Sequence, residues 1–370
     1  MGRWNWQLSD WPNFTWDSQQ IQAYLPPVYH KQGYVAGLVN SLNGTQALIT
    51  KALTENIVAS FAIEGEHLDA TVISDEIERG FGQPSACDEA KSVGLLEGNA
   101  ANLISNVFDK QSEDLTPHRL GAWQRCMFER TYSPAQIGQP ATWRAEDVNV
   151  VSGGSDDRRI HFEAPSPSRV AIEMETFLNW FASSRDAKEI DPISRAALAH
   201  LWFVTVHPFE DGNGRSARAV ADLALFQSDK NAVLYPMAPY ILADRENYYR
   251  VLGRTQSSGL DITEWMIWFF KTLENALDGA ITRLSWSVEA NSLVTMQPEN
   301  RLLTQQVRIL VMLHDDADQN VISASQYAAI NSVSKATATR HLTDLVDKGY
   351  LCVCEGRGRS TIKSTIKIVT

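Results

Sequence analysis

The twelve residues from 207 to 218, HPFEDGNGRSAR, combine side-chain types that together can bind and transfer a phosphate-containing group. Pro208 disfavours helical backbone at His207, so the preceding helix is expected to end there and to present the imidazole at a loop. An imidazole with a near-neutral pKa can take a proton from a hydroxyl group. The sequence therefore predicts a general base at His207.

The residues that follow His207 predict an anion site. The glycines of Gly212-Asn213-Gly214 permit backbone angles that few other residues adopt, so successive N–H groups can turn inward at the start of the next helix. Arg215 and Arg218 fall in the first turn of that helix, where cations oppose the helix dipole unless an anion lies between them. This arrangement indicates a polyanionic ligand.

Two other interpretations of these residues stay open at this point. The Gly-Asn-Gly segment alone also fits an interhelical turn, with the two arginines in surface ion pairs. His200, His207 and Glu210 have the spacing His-x6-His-x2-Glu of a metal site, although Pro208 interrupts the helix that would align them. The joint occurrence of imidazole, glycine loop and two arginines favours the anion site.

The same twelve residues match without a gap the signature HPFx[DE]GNGRxxR, and in this the chain resembles the Fic domain family. Enzymes of that family typically transfer AMP from ATP to a hydroxyl side chain of a target protein. The resemblance implies a protein adenylyltransferase that uses ATP and Mg²⁺, with His207 as the general base and Asp211 as the Mg²⁺ ligand. It implies phosphate binding by Gly212, Asn213, Gly214, Arg215 and Arg218. Mg²⁺ prefers carboxylate and phosphate oxygens, which agrees with these roles.

A second segment, SFAIEG from Ser60 to Gly65, resembles the family's inhibitory signature [ST]xxxE[GN]. Ser60 and Glu64 lie one helical turn apart, and a carboxylate at the C-terminal end of a helix needs a cationic partner. The resemblance implies Arg218 as that partner, with Glu64 displacing the γ-phosphate. The six residues alone equally fit an exposed glutamate beside a capping glycine, and the downstream motif favours inhibition.

Three further segments gain a meaning from the resemblance. A predicted hairpin from Asn149 to Phe162 takes the place of the family's flap, whose edge can pair with an extended target segment. Tyr248 and Tyr249 fall where family members line the adenine pocket, although paired tyrosines on a helix are also typical of packing. Residues 1–30 contain four tryptophans and are expected to form an extended arm, to which the sequence assigns no role.

Helical periodicity dominates the sequence around the motif. Apolar residues at every fourth position, Ile49, Leu53, Ile57 and Phe61, predict an amphipathic helix from about residue 35 to Glu64. Further helices are predicted over 95–135, 168–185, 192–206, 215–227 and 240–285. The predicted fold is mainly α: a Fic-type helical bundle with a β-hairpin flap, followed by a winged helix-turn-helix domain.

Three regions follow from this pattern: 1–110 with the arm and the inhibitory helix, 111–290 as the Fic catalytic core, and 300–370 as the winged-helix domain. The pattern weakens over 288–299, which predicts a linker there. Beyond it, three helical stretches precede a short β-rich end, the order of elements in a winged helix.

The C-terminal domain has two segments suited to DNA. Residues 334–341 predict a recognition helix, and 356–359, Gly-Arg-Gly-Arg, predict a wing tip. Residues 301–370 contain nine Lys and Arg against six Asp and Glu, a net charge of +3 that is small for a DNA-binding domain. DNA binding, homodimerisation and target docking therefore all stay open.

Composition limits the remaining classes. The 370 residues are 44% apolar and 21% charged, which excludes a disordered chain, and the net charge of −11 argues against whole-surface binding of nucleic acid. No run of 18 apolar residues occurs, and the first ten residues lack a continuous apolar segment, so we expect no membrane span and a cytoplasmic location. The four cysteines lack a C-x-x-C pair, which predicts a reducing compartment and no zinc site.

Two rival functions fit the same motif. One is an enzyme that transfers another phosphate-containing group with the same residues. The other is a transcriptional regulator whose Fic body only senses nucleotide, with the winged helix binding DNA. The complete motif favours adenylyl transfer to Ser, Thr or Tyr hydroxyls, including hydroxyls of the chain itself.

Overall fold

The computed structural model describes residues 4–42, 44–80, 96–128, 141–152, 159–295, 302–315, 321–353 and 362–363. Two compact units share the chain. The first contains Met1–Gly33 and Gln46–Asp278, and the second contains Tyr34–Thr45 and Gly279–Thr370. Within the described residues, no helix has the length and apolar character needed to span a membrane.

Helices make up most of the first unit. In chain order they are α1 (Ser18–Gln22), α2 (Leu25–Asn40), α3 (Gln46–Ile63), α4 (Ala70–Gly80), α5 (Leu96–Asp109), α6 (Pro117–Cys126), α7 (Pro167–Ser183), α8 (Pro192–Val206), α9 (Asn213–Ser228), α10 (Ala238–Ala243), α11 (Arg245–Ser257) and α12 (Thr263–Thr295). The unit boundaries fall inside α2 and α12. This helical architecture with one hairpin agrees with the predicted mainly-α fold.

One antiparallel hairpin interrupts the helices of the first unit, between α6 and α7. Its strands are β1 (Asn149–Ser152) and β2 (Arg159–Glu163), with Val150 opposite Phe162 and an irregularity between Val150 and Val151. The predicted hairpin strands are thus confirmed, whereas the turn between them lies outside the described residues.

α8 is the central helix, because every residue from Ile193 to Val206 is buried. Asp191 caps its N-terminus by accepting hydrogen bonds from the backbone of Ile193 and Ser194, with Pro192 as the first helical residue. α8 packs extensively against α9, and α3 packs against α9 and α10. The loop that joins α8 to α9 is the predicted motif, so the core of the unit holds it from both ends.

The continuous helix predicted from about residue 35 is wrong. Gly44, with φ +120°, lies in a break between α2 and α3, since this backbone angle cannot continue a helix. The C-terminal end is as predicted: Gly65 has φ +88°, and the amide of Glu66 donates to the Phe61 carbonyl at 3.1 Å. The stripe residues Leu53, Ile57 and Phe61 are buried.

Other elements also differ from the sequence predictions: α1 and the start of α2 lie within residues 1–30, which were predicted to form an extended arm. The stretch 95–135 contains α5 and α6 rather than one helix, because Thr116 caps a new helix whose first residue is Pro117. α12 continues to Thr295, so the first part of the predicted linker is helical.

Cys126 is disulfide-bonded, which the cysteine spacing did not predict. The cytoplasmic location stays a prediction.

The second unit has its own apolar core, which includes Leu310, Tyr327, Leu342 and Leu351. Its helices are α13 (Thr304–Asp315), α14 (Ala324–Asn331) and α15 (Lys335–Asp347), and its strands are β3 (Val321–Ile322), β4 (Cys352–Val353) and β5 (Ile362–Lys363). The strands form an antiparallel sheet in the order β3-β5-β4. The predicted wing tip, residues 356–359, lies outside the described residues, and the winged helix stays a prediction.

Candidate active site

His207 ends α8 in the left-handed conformation, with φ 52° and ψ 58°. Its Nδ1 donates a hydrogen bond to the carbonyl of Val204 at 3.0 Å, since a carbonyl oxygen can only accept. Burial, together with the charge of Arg144, lowers the pKa of the imidazole to about 4. His207 is therefore neutral at pH 7, with Nε2 as the nitrogen able to take a proton.

The loop after His207 is closed by Asn213. Its Oδ1 accepts from the Phe209 amide at 2.9 Å, and its Nδ2 donates to the Phe209 carbonyl at 2.8 Å. The Asn213 side chain is thus committed to the loop, and among its groups only the backbone is left for a phosphate. Asn213 is also the first residue of α9, so this backbone belongs to a helix N-terminus that attracts anions.

Both glycines of the loop occupy positions that a side chain cannot. Gly212 has φ +78°, and a Cβ there would lie 3.2 Å from the Met127 sulfur and the Phe128 ring. At Gly214 a Cβ would lie 2.2 Å from Oε1 of Glu64. A side chain at Gly214 would therefore displace the Glu64 carboxylate from the first turn of α9.

Asp211 extends from the loop with its side chain 71% exposed. Its Oδ1 accepts from the Gly212 amide at 2.6 Å and lies 3.8 Å from Nη2 of Arg215. A hard, exposed carboxylate beside a helix N-terminus is the ligand that Mg²⁺ combines with phosphate oxygens, so Asp211 fits the ion that the resemblance implies.

Arg218 and Glu64 form an ion pair in which the guanidinium is buried and the carboxylate side chain is 28% exposed. Nη2 of Arg218 lies 2.9 Å from Oε1 of Glu64 and also donates to the Ser60 carbonyl, while Nε donates to the Ser60 hydroxyl at 2.8 Å. Burial favours a protonated Glu64, but the charge of Arg218 outweighs it and lowers the pKa of the carboxyl. The structure thus brings Ser60 and Glu64 together with Arg218.

Arg215, one turn before Arg218 on α9, is held by a separate set of contacts. Its Nη1 donates to Glu66 Oε2 at 3.0 Å and to the Met127 carbonyl at 3.1 Å, and its guanidinium lies 4.8 Å from the ring centres of Phe61 and Phe128. Nε of Arg215 and Nη1 of Arg218 are buried without a hydrogen-bond partner in the described part of the chain. Unpaired buried donors on both arginines fit an anionic ligand.

A pocket of about 740 Å³ lies above the loop and α9. Its size is typical of small-molecule sites. The lining includes residues of the motif, the flap and α11: Glu64, Val150, Ile160, Phe162, His207, Glu210, Asp211, Gly212, Asn213, Gly214, Arg245, Tyr248 and Tyr249. The neutral imidazole, the exposed carboxylate and the helix N-terminus therefore face one space.

The two tyrosines of α11 have different surroundings. Tyr248 is buried, and its hydroxyl lies 3.1 Å from Nε2 of His200. Tyr249 is 38% exposed, and its hydroxyl donates to Oε2 of Glu64 at 3.3 Å. Both line the pocket, and the contact of Tyr249 with Glu64 is one that sequence spacing did not suggest.

The metal site considered for His200, His207 and Glu210 is not formed. His200 is paired with Tyr248, and burial lowers its pKa to about 3. Among the residues that the structure describes, no three His, Cys, Asp or Glu side chains are arranged to hold a metal ion.

Arg144 is a site residue that the sequence did not reveal. Its side chain is buried, and its Nε donates to the His207 carbonyl at 2.8 Å. Its backbone amide donates to the Pro208 carbonyl at 3.0 Å, and Nη2 donates to the Pro165 carbonyl beyond β2. Arg144 therefore ties the His207 loop to the base of the flap. An isolated arginine 63 residues before the motif has no spacing signal.

Comparisons with known proteins agree with this geometry. A model of the Fic/DOC family matches residues 114–225, and a model described as a domain of unknown function (DUF4172) matches residues 4–83. A protein adenylyltransferase Fic of Nematostella vectensis is 26% identical over 274 residues, which are 74% of this chain and 56% of that protein. A protein adenylyltransferase of Caenorhabditis elegans is 37% identical over 91 residues, 25% of this chain and 17% of that protein.

Solved structures share the fold. A Fic family protein from Desulfovibrio desulfuricans superimposes with a TM-score of 0.51 and 17% identity, covering 92% of this chain and 96% of that one. A segment of Fic-1 from Caenorhabditis elegans superimposes with a TM-score of 0.50 and 21% identity, covering 73% of this chain and 74% of that one. The family model and the curated relatives lead to one conclusion: the chain contains a domain of the Fic/DOC family over residues 114–225.

Proposed function

We propose that the protein is an autoinhibited, Mg²⁺-dependent protein adenylyltransferase that transfers AMP from ATP to a hydroxyl side chain of a target protein and of itself. The observation that carries the proposal is the common pocket. His207, Asp211 and the first residues of α9 all line it, so the groups for proton transfer, metal binding and phosphate binding face the same space.

His207 acts as the general base. Nε2 takes the proton of the attacking hydroxyl, whose oxygen forms a bond to the α-phosphorus of ATP. The bond from that phosphorus to the oxygen bridging to the β-phosphate breaks, and pyrophosphate leaves with the electron pair. The low pKa of His207 keeps Nε2 unprotonated at neutral pH, and the hydrogen bond from Nδ1 to Val204 fixes the ring's orientation.

The remaining residues bind the nucleotide. The N–H groups at the start of α9 and the unpaired donors of Arg215 and Arg218 bind the phosphates, since buried donors without partners gain most from an anion. Asp211 would hold Mg²⁺, which neutralises charge on the phosphates when bound. Tyr248 and Tyr249 form the wall expected to contact the adenine.

Glu64 keeps the resting protein inactive. Its carboxylate lies over Gly214 and on Arg218, which is the anion site at the α9 N-terminus. A phosphate in the same place would meet a like charge, so Glu64 excludes the γ-phosphate from its productive position. Productive binding of ATP therefore requires that the carboxylate leave Arg218.

Adenylyl transfer and transfer of another phosphate group are separated by one experiment. Wild-type protein and Glu64→Gly are incubated with Mg²⁺ and ATP labelled at either the α- or the γ-phosphate, and protein-bound label is counted. We expect α-label only, more of it in Glu64→Gly, and a peptide mass increase equal to AMP.

The matched control is Glu64→Gly combined with His207→Ala, which is expected to remain unlabelled. Incorporation of γ-label would replace this proposal with phosphoryl transfer. Absence of both labels from Glu64→Gly, with ATP bound, would leave the regulator that senses nucleotide. DNA binding and homodimerisation stay predictions, tested by salt-dependent binding to DNA and by the mass in solution.

A further inference from the structure

We propose that the N-terminal arm positions the flap: Trp4 and Trp6, here called the tryptophan clasp, hold strand β2 against the pocket so that a target segment meets His207 in register. This inference rests on the proposed function, because the strand's orientation matters only if a hydroxyl must reach His207. The clasp residues act through β2 and are therefore positioning residues.

Trp4 holds the inner side chain of β2. Its ring lies edge-on to the ring of Phe162, with centres 5.3 Å apart and planes inclined by 73°. Its Nε1 donates to Oε2 of Glu163 at 3.4 Å. Edge-to-face aromatic pairs have a preferred geometry, so this contact fixes the position of Phe162 as well as burying it.

Trp6 holds the backbone at the end of the same strand. Its Nε1 donates to the carbonyl of Glu163 at 2.7 Å, and the guanidinium of Arg169 lies 5.3 Å from its ring centre. The two indoles of the clasp therefore bind one residue, Glu163, through its side chain and its carbonyl. Both bonds span more than 150 residues of chain.

Phe162 links the clasp to the catalytic loop. It is buried, its ring centre lies 6.5 Å from that of His207, and Val150 is its partner on β1. An isolated two-stranded hairpin is marginally stable in water, so a flap of this size needs support from outside. The clasp supplies that support, while Val150 and Ile160 stay 37% and 51% exposed.

A third tryptophan of the arm serves as the internal comparison. Trp11 donates from Nε1 to Oε2 of Glu173 in α7 at 2.8 Å and packs 6.3 Å from Trp202 of α8. It contacts helices of the core rather than β2. Trp11→Phe therefore keeps a ring at this position and removes the indole hydrogen bond to Glu173, without removing a clasp contact.

The test uses the full chain in the Glu64→Gly background, comparing Trp4→Ala, Trp4→Phe and Trp11→Phe. We measure hydrogen exchange of the amides in 159–163, auto-modification at saturating α-labelled ATP, and ATP affinity. Trp4→Ala is expected to speed exchange and to slow modification by about fivefold to tenfold, the worth of an aromatic pair, with ATP affinity unchanged. Trp4→Phe should restore most of the slow exchange and most of the modification rate, because it keeps an aromatic ring against Phe162.

Trp11→Phe should lower the melting temperature and leave exchange in 159–163 as in the background. Unchanged exchange in Trp4→Ala overturns the clasp. Faster exchange with an unchanged modification rate overturns its positioning role. A background protein that modifies nothing contradicts the proposed function instead, and exchange in Trp4→Ala then still decides whether the clasp holds β2.

Discussion

The inner wall of the pocket, where α3 lies against α9, consists of buried charged and polar groups, whereas the outer wall, the flap, is two short strands with exposed apolar side chains. On the inner wall Arg218 is 3% exposed and makes two hydrogen bonds to Ser60 of α3 and one to Glu64, the residue after α3. On the outer wall Ile160 is 51% exposed. Glu64 of the inner wall and Ile160 of the outer wall line the same pocket.

The inner wall repeats its contacts at every helical turn. Asn56 donates to Asp222 at 2.7 Å, Ser60 accepts from Arg218 four residues later, and Glu64 pairs with Arg218 after another four. The partner numbers decrease as those on α3 increase, so the two helices run antiparallel here. Burial raises the pKa of Asp222 to about 6, which reflects how little water reaches this contact.

The two walls differ in what their contacts depend on. A buried charge needs its hydrogen-bond partners, so the three bonds of Arg218 hold the inner wall in one arrangement. The exposed residues of the flap would instead gain contacts from a bound target segment. Under the proposed function, inhibition would therefore depend on contacts within the chain, and recognition of the target on the partner.

The largest effect is expected from replacing His207, the proposed general base. In the Glu64→Gly background, His207→Ala should lower the transfer rate by about 10²–10⁴-fold, because proton abstraction is lost while the phosphate contacts stay. Rates are measured with α-labelled ATP and affinity by calorimetry. The exposed His118→Ala is the control, and comparable rates for both histidine variants would contradict the role of His207.

The second prediction breaks the inner wall. Glu64→Gly should raise auto-modification by about 10–100-fold, the factor that corresponds to losing a charged hydrogen bond of about 1.5–3 kcal/mol. Arg218→Ala should not activate, because it removes the inhibitory partner and the phosphate contact together. The double variant should resemble Arg218→Ala, a non-additive cycle typical of residues in one network.

Equal transfer rates for wild type and Glu64→Gly, at matched ATP and Mg²⁺, would refute inhibition through α3. Glu64→Gln sharpens the result, since it keeps the side chain's size and removes its charge. An intermediate rate for this variant would show that charge and volume both contribute to exclusion of the γ-phosphate.

The third prediction concerns Asp211, the proposed Mg²⁺ ligand. Asp211→Ala should raise the Mg²⁺ concentration for half-maximal transfer by about tenfold or more, since a site with few protein ligands loses much of its charge. Glu210→Ala is the control, because it removes a neighbouring carboxylate that also lines the pocket. Identical Mg²⁺ titrations of the two variants would assign Asp211 to loop structure.

The smallest effect is expected from pH. The pKa of His207 is lowered to about 4, so the base stays unprotonated as the pH falls from 8 to 5 and is lost only near pH 4. An ordinary histidine of pKa about 6.5 would lose activity about thirtyfold by pH 5. We expect the transfer rate of Glu64→Gly to change by less than about twofold over this range. An acid limb near pH 6.5 would show that His207 is hydrated in the active state.

The boundaries of the motif could be predicted because their causes are local. Pro208 ends α8 at His207, Gly65 ends α3, and Gly212 precedes α9, each through backbone angles that one residue imposes on its neighbours. The same reasoning failed where a second local signal competed with periodicity. Gly44 and Thr116 each divide a stretch whose apolar pattern alone predicted one helix.

Glu64 and Arg218 illustrate the limit of local reasoning. Each charge is unfavourable at its own helix end, which indicated that it needs a partner of opposite charge. The residues alone did not identify that partner, and the resemblance to the family motif did. The structure joins them across 154 residues. Asn56 with Asp222 and Arg144 with His207 had no such hint, because a neutral amide or a lone arginine leaves no local imbalance to notice.

The sequence by itself determined the reactive groups, the ends of the helices that present them and the mainly-α class, since these depend on residues within one or two turns of each other. Only the tertiary structure decided which distant residues hold those groups: the antiparallel contact of α3 with α9, the bonds from Arg144 to the catalytic loop, and the tryptophan clasp on β2. The physical reason is that such contacts depend on how the whole chain packs, because hydrogen bonds and ring contacts form at a few ångströms, whatever the separation in sequence.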